Sequence, residues 1–309
     1  MSPTVLLFRS PTPTSEGPDR FTAAFESHSY HAISVPVLEH AFVNVEPLQS
    51  VIRDGPERRY SGVIVTSGRA SEGWRHAVEA PSSSDHPTPS ISWQHTPFYV
   101  VGARTADHLV APSGSPKTHL YPSPDTILGA AESGNAEKLG RFIIEDVQKR
   151  RDPTILPLLY LTGDKSRDTI KTMLDDASVP TQLLQVYETR TSTALKQDIE
   201  AAVEEATERA GSKLSSLHIW LVFFAPSSAK PSLPILERFH KLPALKEALD
   251  CGRTVPEARI AAIGPTTASY LTEEHQPTSF RVDVTSPSPK PEALALAIRN
   301  FDASQVVLA

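Results

Sequence analysis

The sequence lacks several features that mark particular classes of protein. Its 309 residues include a single cysteine, Cys251, which excludes an intrachain disulfide and any metal site built from several cysteines. No apolar run approaches the roughly 20 residues that a membrane span needs. The formal net charge of −6 argues against nucleic acid as a partner, because proteins that bind it usually carry a basic surface. The N-terminal apolar run is short and has no basic segment before it, so no secretory signal is expected. We therefore expect a cytoplasmic protein without a membrane or nucleic-acid partner.

The motifs of common cofactor and catalytic sites are also absent. No glycine-rich dinucleotide fingerprint or phosphate loop follows a predicted strand, and there is no H-E-x-x-H zinc motif or G-x-S-x-G nucleophile elbow. The eleven histidines show no spacing typical of metal ligands, and we interpret them as surface or loop residues. The sequence therefore predicts neither a metal nor an organic cofactor.

Short apolar runs alternate with helical patterns along almost the whole chain. The runs are continuously apolar, which is typical of strands buried on both faces of a parallel sheet. Helical spacing of apolar residues follows at 136–150 and from Leu195, and Pro291 stands at a favoured first helical position. This alternation predicts an α/β fold. The predicted strands cover 4–8, 31–38, 62–66, 98–102, 156–161, 181–187, 217–224, 258–264 and 279–284.

Proline is abundant, with 28 residues that fall mostly in short runs. These runs predict loops. The longest such region, 80–96, separates a predicted helix from a predicted strand, and we interpret it as a flexible surface insertion.

One strand–turn–helix pattern occurs twice. The residues V-G-A-R-T-A at 101–106 align at the glycine with I-G-P-T-T-A at 263–268. Each is preceded, at a similar distance, by a strand that ends in small polar residues near Ser67 or Ser227. The repeat predicts two related α/β domains.

These corners favour an anionic ligand. Ligands of open α/β sheets bind beyond the carboxyl ends of the strands, where helix N-termini offer unpaired N–H groups and glycine allows close approach of the backbone. The alternative for any single corner is a plain helix cap. The candidate binding residues are Arg9, Thr66, Ser67, Gly68, Arg69, Gly102, Thr105, Gly163, Lys165, Arg167, Ser227, Ser228, Thr266 and Thr267.

Taken in order, these segments resemble the uroporphyrinogen-III synthase family. The resemblance runs through VLLFRSP, VIVTSGRA, YVVGARTA, LYLTGDKSRDTI, VYETRT, VFFAPSSA and IAAIGPTTA, and then SPSPKPEALALAI. The last two segments are the most specific to the family. The others are weak individually and support the resemblance only because all of them occur in the family's order. The family implies two α/β lobes, each a parallel sheet flanked by helices. A two-stranded crossover joins the lobes, and the active site lies in the cleft between them.

The resemblance also implies where the lobes begin and end. The first lobe would be discontinuous, formed by 1–36 plus 190–309, and the second would be 37–189. The crossover segments would lie near 34–40 and 184–190. The sequence by itself favours two contiguous halves, so the discontinuity comes from the family alone.

The family's reaction supplies a role for one tyrosine. Its substrate, hydroxymethylbilane, is an open chain of four pyrroles with eight carboxylates, which loses water and closes with ring D inverted. A lyase of this kind uses no cofactor and is expected to be monomeric. Tyr187 matches the family's cleft tyrosine, and we predict that it donates a proton to the leaving hydroxyl, as a phenol with its ordinary pKa of about 10 can. The alternative is a packing role.

Two other functions remain open at this point. The main alternative is a two-lobed non-catalytic binding protein for a small anionic ligand. A nucleotide-dependent α/β enzyme is disfavoured by the missing glycine-rich fingerprint.

Overall fold

The computed structural model describes residues 2–12, 17–81, 92–150, 156–165, 168–210, 219–239, 258–274 and 280–308. Its contacts divide the chain into two compact units. Unit 1 comprises Met1–Glu39 and Arg190–Ala309, and unit 2 comprises His40–Thr189. Unit 2 is therefore inserted into the sequence of unit 1.

Strands and helices alternate along the described residues. The strands are β1 (Thr4–Phe8), β2 (His31–Ser34), β3 (Leu38–Phe42), β4 (Gly62–Val65), β5 (Phe98–Val100), β6 (Ile127–Leu128), β7 (Leu158–Gly163), β8 (Thr181–Thr191), β9 (Ile219–Phe223), β10 (Ala258–Ala262) and β11 (Val284–Thr285). The α-helices are α1 (Arg20–Glu26), α2 (Val45–Asp54), α3 (Gly68–Glu79), α4 (Ala103–Asp107), α5 (Ala136–Arg150), α6 (Thr169–Asp176), α7 (Leu195–Ala210), α8 (Pro226–Leu236), α9 (Pro265–Ser269) and α10 (Pro291–Leu308).

The sheet of unit 1 has the strand order β11-β10-β9-β1-β2. All of its strand pairs are parallel. Because parallel strands point the same way, the loops that follow β9, β10 and β11 leave the sheet at one common edge.

The sheet of unit 2 has the order β3-β8-β7-β4-β5-β6. The strands from β8 to β6 are parallel. Strand β3 runs opposite to β8, since the N–H of Val43 bonds to the carbonyl of Val186 at 3.1 Å and that of Ser192 bonds to Val37 at 2.8 Å. The chain passes between the units in these two antiparallel strands.

The cores explain why the strands are apolar throughout. In β1, Leu6 and Phe8 belong to one buried cluster and Val5 and Leu7 to another. Successive side chains of a strand point to opposite faces, so each face of the sheet is covered by its own cluster. Unit 2 has the same arrangement, with Ile64 and its two neighbours in different clusters. The α/β class with two mainly parallel sheets is thus confirmed.

Two predicted strands are corrected. The run 31–38 is divided into β2 and β3, and Pro36 between them has no N–H to donate to a ladder. The run 279–284 is described from Phe280 onward, and of that part β11 takes only Val284 and adds Thr285. The carboxylate of Asp283 accepts the N–H of Ile260 at 3.0 Å, in place of a backbone carbonyl.

The expected insertion at 80–96 is corrected in part. Residues 82–91 lie outside the described residues. Trp93 is fully buried, donates its indole N–H to the carbonyl of Ile52 at 2.9 Å, and packs edge to face against Trp74 and Phe98. The end of this region is therefore part of the core of unit 2.

Candidate active site

Tyr187 lies in β8, and its ring packs against the neighbouring strand β7. Gly163, the last residue of β7, is its partner in the ladder. A Cβ atom at Gly163 would lie 2.6 Å from Cε2 of the tyrosine ring. The register shifts between Thr162 and Gly163, which marks a β-bulge. The bulge brings the ring of Tyr187 against a residue that has no side chain.

Ser67 connects this tyrosine to the start of α3. Its hydroxyl accepts the N–H of Ala70 at 3.2 Å, as expected of a helix N-cap. The same hydroxyl donates to Oη of Tyr187 at 3.2 Å. Ser67 is therefore a cap and a contact of Tyr187 at the same time.

The preceding residue, Thr66, contacts a second tyrosine. Its side chain hydrogen-bonds to Tyr160 of β7, which is 3% exposed. Burial raises the pKa of the Tyr160 hydroxyl, and the hydrogen bond with Thr66 offsets only part of this rise. Two consecutive residues after β4 thus each contact one phenol.

The second predicted corner of unit 2 begins at Gly102. Its φ of 77° and ψ of 161° lie in a region that is essentially restricted to glycine. Thr105 is buried, at 5% exposure, and its carbonyl accepts the hydroxyl of Ser71 at 3.0 Å. Because Ser71 lies one turn after Ser67, this bond ties the start of α4 to the start of α3.

The predicted cations of unit 2 lie at the surface. Arg69 forms an ion pair with Glu72 at 2.8 Å, and its neighbour Gly68 is half-buried at the first position of α3. Lys165 is exposed in the turn after β7. Arg167 lies outside the described residues.

Unit 1 has a cavity of about 350 Å³ at the carboxyl edge of its sheet. The loops after β9, β10 and β11 line it through residues 224–226, 263–267 and 286–289. Among the predicted residues, Thr266 and Thr267 belong to this lining. Thr266 is exposed and Thr267 is 3% exposed, so the cavity combines hydroxyl groups with an apolar wall.

The predicted serines of α8 have other surroundings. Ser228 donates its hydroxyl to the carbonyl of Ala225 at 2.9 Å and accepts the N–H of Ala225 at 3.3 Å. Ser227 is exposed. Neither serine is part of the cavity lining, so the hydroxyl contacts of Ser228 are those of a helix cap.

Arg9 lies behind the cavity wall and forms an ion pair there. Its guanidinium bonds to Asp19 at 2.6 Å and Thr12 at 2.9 Å, and it lies 4.8 Å and 5.5 Å from the ring centroids of Phe21 and Phe224. Burial raises the pKa of Asp19, but Arg9 and two backbone N–H groups outweigh it and hold the pKa below its usual range. Since Phe224 lines the cavity, Arg9 supports that wall from within unit 1.

Sequence reasoning missed the third loop of the cavity. Ser286 follows β11, is 3% exposed, and donates its hydroxyl to the carbonyl of Ser288 at 2.6 Å. The sequence does contain an indication of this loop, because the residues SPSP follow a predicted strand. The rule that ligands bind beyond the carboxyl ends of strands applied there as well.

The histidines that the structure describes are exposed or half-buried, as predicted. Among the described residues, no three His, Cys, Asp or Glu side chains gather as a group able to hold a metal ion. Over the same residues, no helix is both long and apolar enough to cross a membrane.

Comparison with known proteins gives the chain relatives along most of its length. Residues 19–296 match the sequence model of the family described as uroporphyrinogen-III synthase HemD. The uroporphyrinogen-III synthase of Schizosaccharomyces pombe is 29% identical over 288 residues, which cover 92% of each chain. That of Saccharomyces cerevisiae is 27% identical over 289 residues, again 92% of each chain.

Solved structures with related descriptions are more distant. The uroporphyrinogen-III synthetase of Helicobacter pylori covers 100% of both chains at 17% identity, with a TM-score of 0.41. A mutant uroporphyrinogen III synthase of Thermus thermophilus covers 98% of this chain and 100% of its own, at 12% identity and a TM-score of 0.36. The sequence model of the family decides the question, because it matches most of the chain. The resemblance noted from the ordered segments is thereby confirmed, and the chain belongs to the uroporphyrinogen-III synthase family.

Proposed function

We propose that this protein is a uroporphyrinogen-III synthase that cyclises hydroxymethylbilane to uroporphyrinogen III, with loss of water and inversion of ring D. The observation that carries the proposal is the family match over residues 19–296. Such a match disfavours the alternative of a non-catalytic binding protein for a small anionic ligand.

Tyr187 is the proposed proton donor. When the hydroxymethyl C–O bond of ring A breaks, the oxygen leaves as water only if it receives a proton, and a positioned acid accelerates that step. The pyrrole supplies the electrons and becomes a cationic azafulvene. The hydrogen bond of 3.2 Å between Ser67 and Oη of Tyr187 supports this role, because it fixes the position of the phenolic oxygen from which the proton would be donated.

The substrate is a flexible polyanion, and its binding decides which product forms. Closure without inversion occurs in water, so the enzyme must hold the chain in the geometry that leads to the inverted ring. We assign this task to hydroxyl and backbone N–H groups of both units, namely those near Thr66, Ser67 and Thr105 and those near Thr266 and Thr267. Arg69, Lys165 and Arg167 are weaker candidates for contacts with carboxylates. Gly68 and Gly102 would let a carboxylate approach the backbone.

The finer classification follows from the chemistry. Elimination of water and ring closure change no oxidation state, so we propose a lyase that needs no cofactor. We further propose that the protein acts as a monomer in the cytoplasm on a small-molecule substrate.

Product analysis tests the function directly. The purified protein is supplied with freshly prepared hydroxymethylbilane, and the uroporphyrinogen isomers are separated by chromatography. We expect the III isomer to predominate and its amount to rise with enzyme concentration. Formation of the I isomer alone, at the spontaneous rate, would reject the proposal and favour the binding protein. Tight binding of hydroxymethylbilane without turnover would do the same.

A further inference from the structure

We propose that Gly163 is a positioning residue whose missing side chain leaves the space in which the Tyr187 ring lies. The inference rests on the proposed function, in which Tyr187 donates a proton. It assigns Gly163 a task different from the substrate contact that its place after a strand predicts.

The ring of Tyr187 occupies the space beside Gly163. A Cβ atom there would lie 2.6 Å from Cε2 and 2.7 Å from Oη of Tyr187, whereas carbon atoms normally approach to about 3.5–4.0 Å. Gly163 is buried within the sheet, while the ring is the far end of a side chain that can rotate. An alanine at this position would therefore move the ring rather than the strand.

A second glycine, on helix α3, allows that helix to pack closely against the strand that carries Tyr187. Gly73 of α3 faces Val186, the residue before Tyr187, and a Cβ atom on Gly73 would lie 3.2 Å from Cγ2 of that valine. Helix α3 thus lies close against β8, and Ser67 stands at the start of the same helix. The two glycines and the β-bulge together determine that Oη of Tyr187 reaches Ser67 at 3.2 Å.

A displaced ring affects the chemical step more than binding. Restoring normal contacts requires a movement of the phenol by about 1 Å, and a misplacement of that size can lower a rate by about 10²-fold. Because substrate carboxylates are bound by other groups, we expect the loss in kcat and little change in KM.

The test compares Gly163→Ala with a matched glycine variant of the same unit. Gly140→Ala is the control, since its Cβ would meet the flexible side chain of Met173, at 2.9 Å from the sulfur, away from Tyr187. We expect kcat to fall by roughly 10- to 100-fold for Gly163→Ala and to stay near the wild-type value for Gly140→Ala. In a Tyr187→Phe background, Gly163→Ala should lower kcat little further, because residues that act together are not additive.

A spectroscopic readout separates positioning from loss of fold. In protein labelled with ¹³C at tyrosine Cζ, the Tyr187 signal is identified by its absence from Tyr187→Phe. That signal should shift in Gly163→Ala. Of the other six tyrosines, Tyr160 interacts with Tyr187, and the signals of the remaining five should stay in place. Where Gly163→Ala gives little folded protein, combining it with Tyr187→Ala removes the ring that the new Cβ meets. The yield of folded protein should then recover, and no recovery would overturn the inference.

Two other outcomes would overturn the inference. One is an unshifted Tyr187 signal with wild-type kcat in Gly163→Ala, and the other is an equal loss of kcat with and without the Tyr187 hydroxyl. Both are distinct from failure of the proposed function, in which the wild-type protein itself makes no III isomer.

Discussion

At the scale of single residues, the hydroxyl of Tyr187 is the group with the most specific proposed role. Replacing Tyr187 with Phe removes the proton donor while keeping the ring. We expect kcat to fall by roughly 10²- to 10⁴-fold, with KM little changed, measured under saturating hydroxymethylbilane. Tyr60→Phe is the matched control, because its hydroxyl bonds to Gln182 at 3.1 Å within the same unit. Unchanged turnover in Tyr187→Phe would exclude proton donation and leave only a positioning role.

The hydroxyls of Thr266 and Thr267 are the matching candidates in unit 1. Replacing both with Val keeps their shape and removes two hydrogen-bonding groups from the cavity lining. We expect KM to rise about tenfold or more, as for the loss of one to two hydrogen bonds to charged groups, with the thermal midpoint of unfolding little changed. Thr207→Val, which loses only a bond to the carbonyl of Val203 in α7, should leave KM unaltered. Wild-type KM in the double variant would remove both threonines from the site.

Gly102 and Gly264 occupy equivalent places in the two corners but differ in conformation. Gly102 has a φ of 77°, whereas Gly264 is extended at −178°. We expect Gly102→Ala to destabilise the fold by about 1–3 kcal/mol, and Gly264→Ala by less than about 1 kcal/mol. Both glycines are helix N-caps, so the difference isolates the backbone conformation. Thermal unfolding of both variants measures it, and equal shifts of the midpoint would refute the explanation.

The comparison of these corners shows what the sequence can and cannot predict. The repeated strand–turn–helix pattern was visible in the residues and is confirmed. Gly264 is extended because it precedes Pro265, and the residue before a proline is driven to an extended conformation. By contrast, the contact between Ser67 and Tyr187 joins residues 120 positions apart. It depends on a β-bulge, which leaves no regular pattern in the sequence.

At the scale of elements, the start of α1 is held by a buried charge. Asp19 caps the helix through Phe21 and Thr22 and also pairs with Arg9 at 2.6 Å. Asp19→Asn keeps the oxygen that caps the helix but removes the charge and the second oxygen, which accepts the N–H of Thr12. We therefore expect a loss of about 1–3 kcal/mol at pH 7. Denaturation midpoints at several pH values measure this loss. Asp54→Asn is the control, since its pair with Arg59 is exposed and should contribute little.

The same ion pair predicts a dependence on pH. The pKa of Asp19 is lowered from its usual 3.8 in the folded protein, so the pair contributes fully above the unfolded value. Its contribution is lost as the pH falls through the lower folded value. The stability gap between wild type and Asp19→Asn should therefore begin to narrow below about pH 4 and close below the folded pKa. A gap that is undiminished at pH 2 would show that the carboxylate is not its source.

Strand boundaries were the least predictable feature at this scale. The run 31–38 is mostly apolar, yet the ladder breaks around Pro36, because apolar side chains indicate burial and not the pattern of backbone hydrogen bonds. Trp93 shows the reverse case, since its proline-rich surroundings gave no sign that an indole would be buried against Trp74. Both outcomes depend on contacts made by residues far apart in the sequence.

At the scale of the whole molecule, unit 2 is a contiguous segment and unit 1 is not. We therefore propose that the fragment His40–Thr189 folds by itself. It contains four whole strands of the six-stranded sheet and most of the other two, β3 and β8. It also holds two of the three tryptophans, Trp74 and Trp93, whose ring centroids lie 5.0 Å apart. The fragment should keep a near-ultraviolet circular dichroism band from this pair and unfold cooperatively. A fragment of residues 1–189 should aggregate more, because β1 would lack its neighbour β9. A fragment 40–189 without fixed tertiary structure would contradict the proposed boundary.

The place of β1 between β2 and β9 has a consequence for synthesis on the ribosome. About 210 residues separate the end of β1 from the start of β9, and translation at about 5–20 residues per second takes roughly 10–40 seconds to cover that distance. By the end of this interval the nascent chain contains all of His40–Thr189, whereas β1 still has only β2 beside it. The insertion thus sets an order of folding in which the first strand to be made is among the last to be fully paired. Substitutions in β9 should consequently lower the yield of newly made protein more than equally destabilising substitutions in β4.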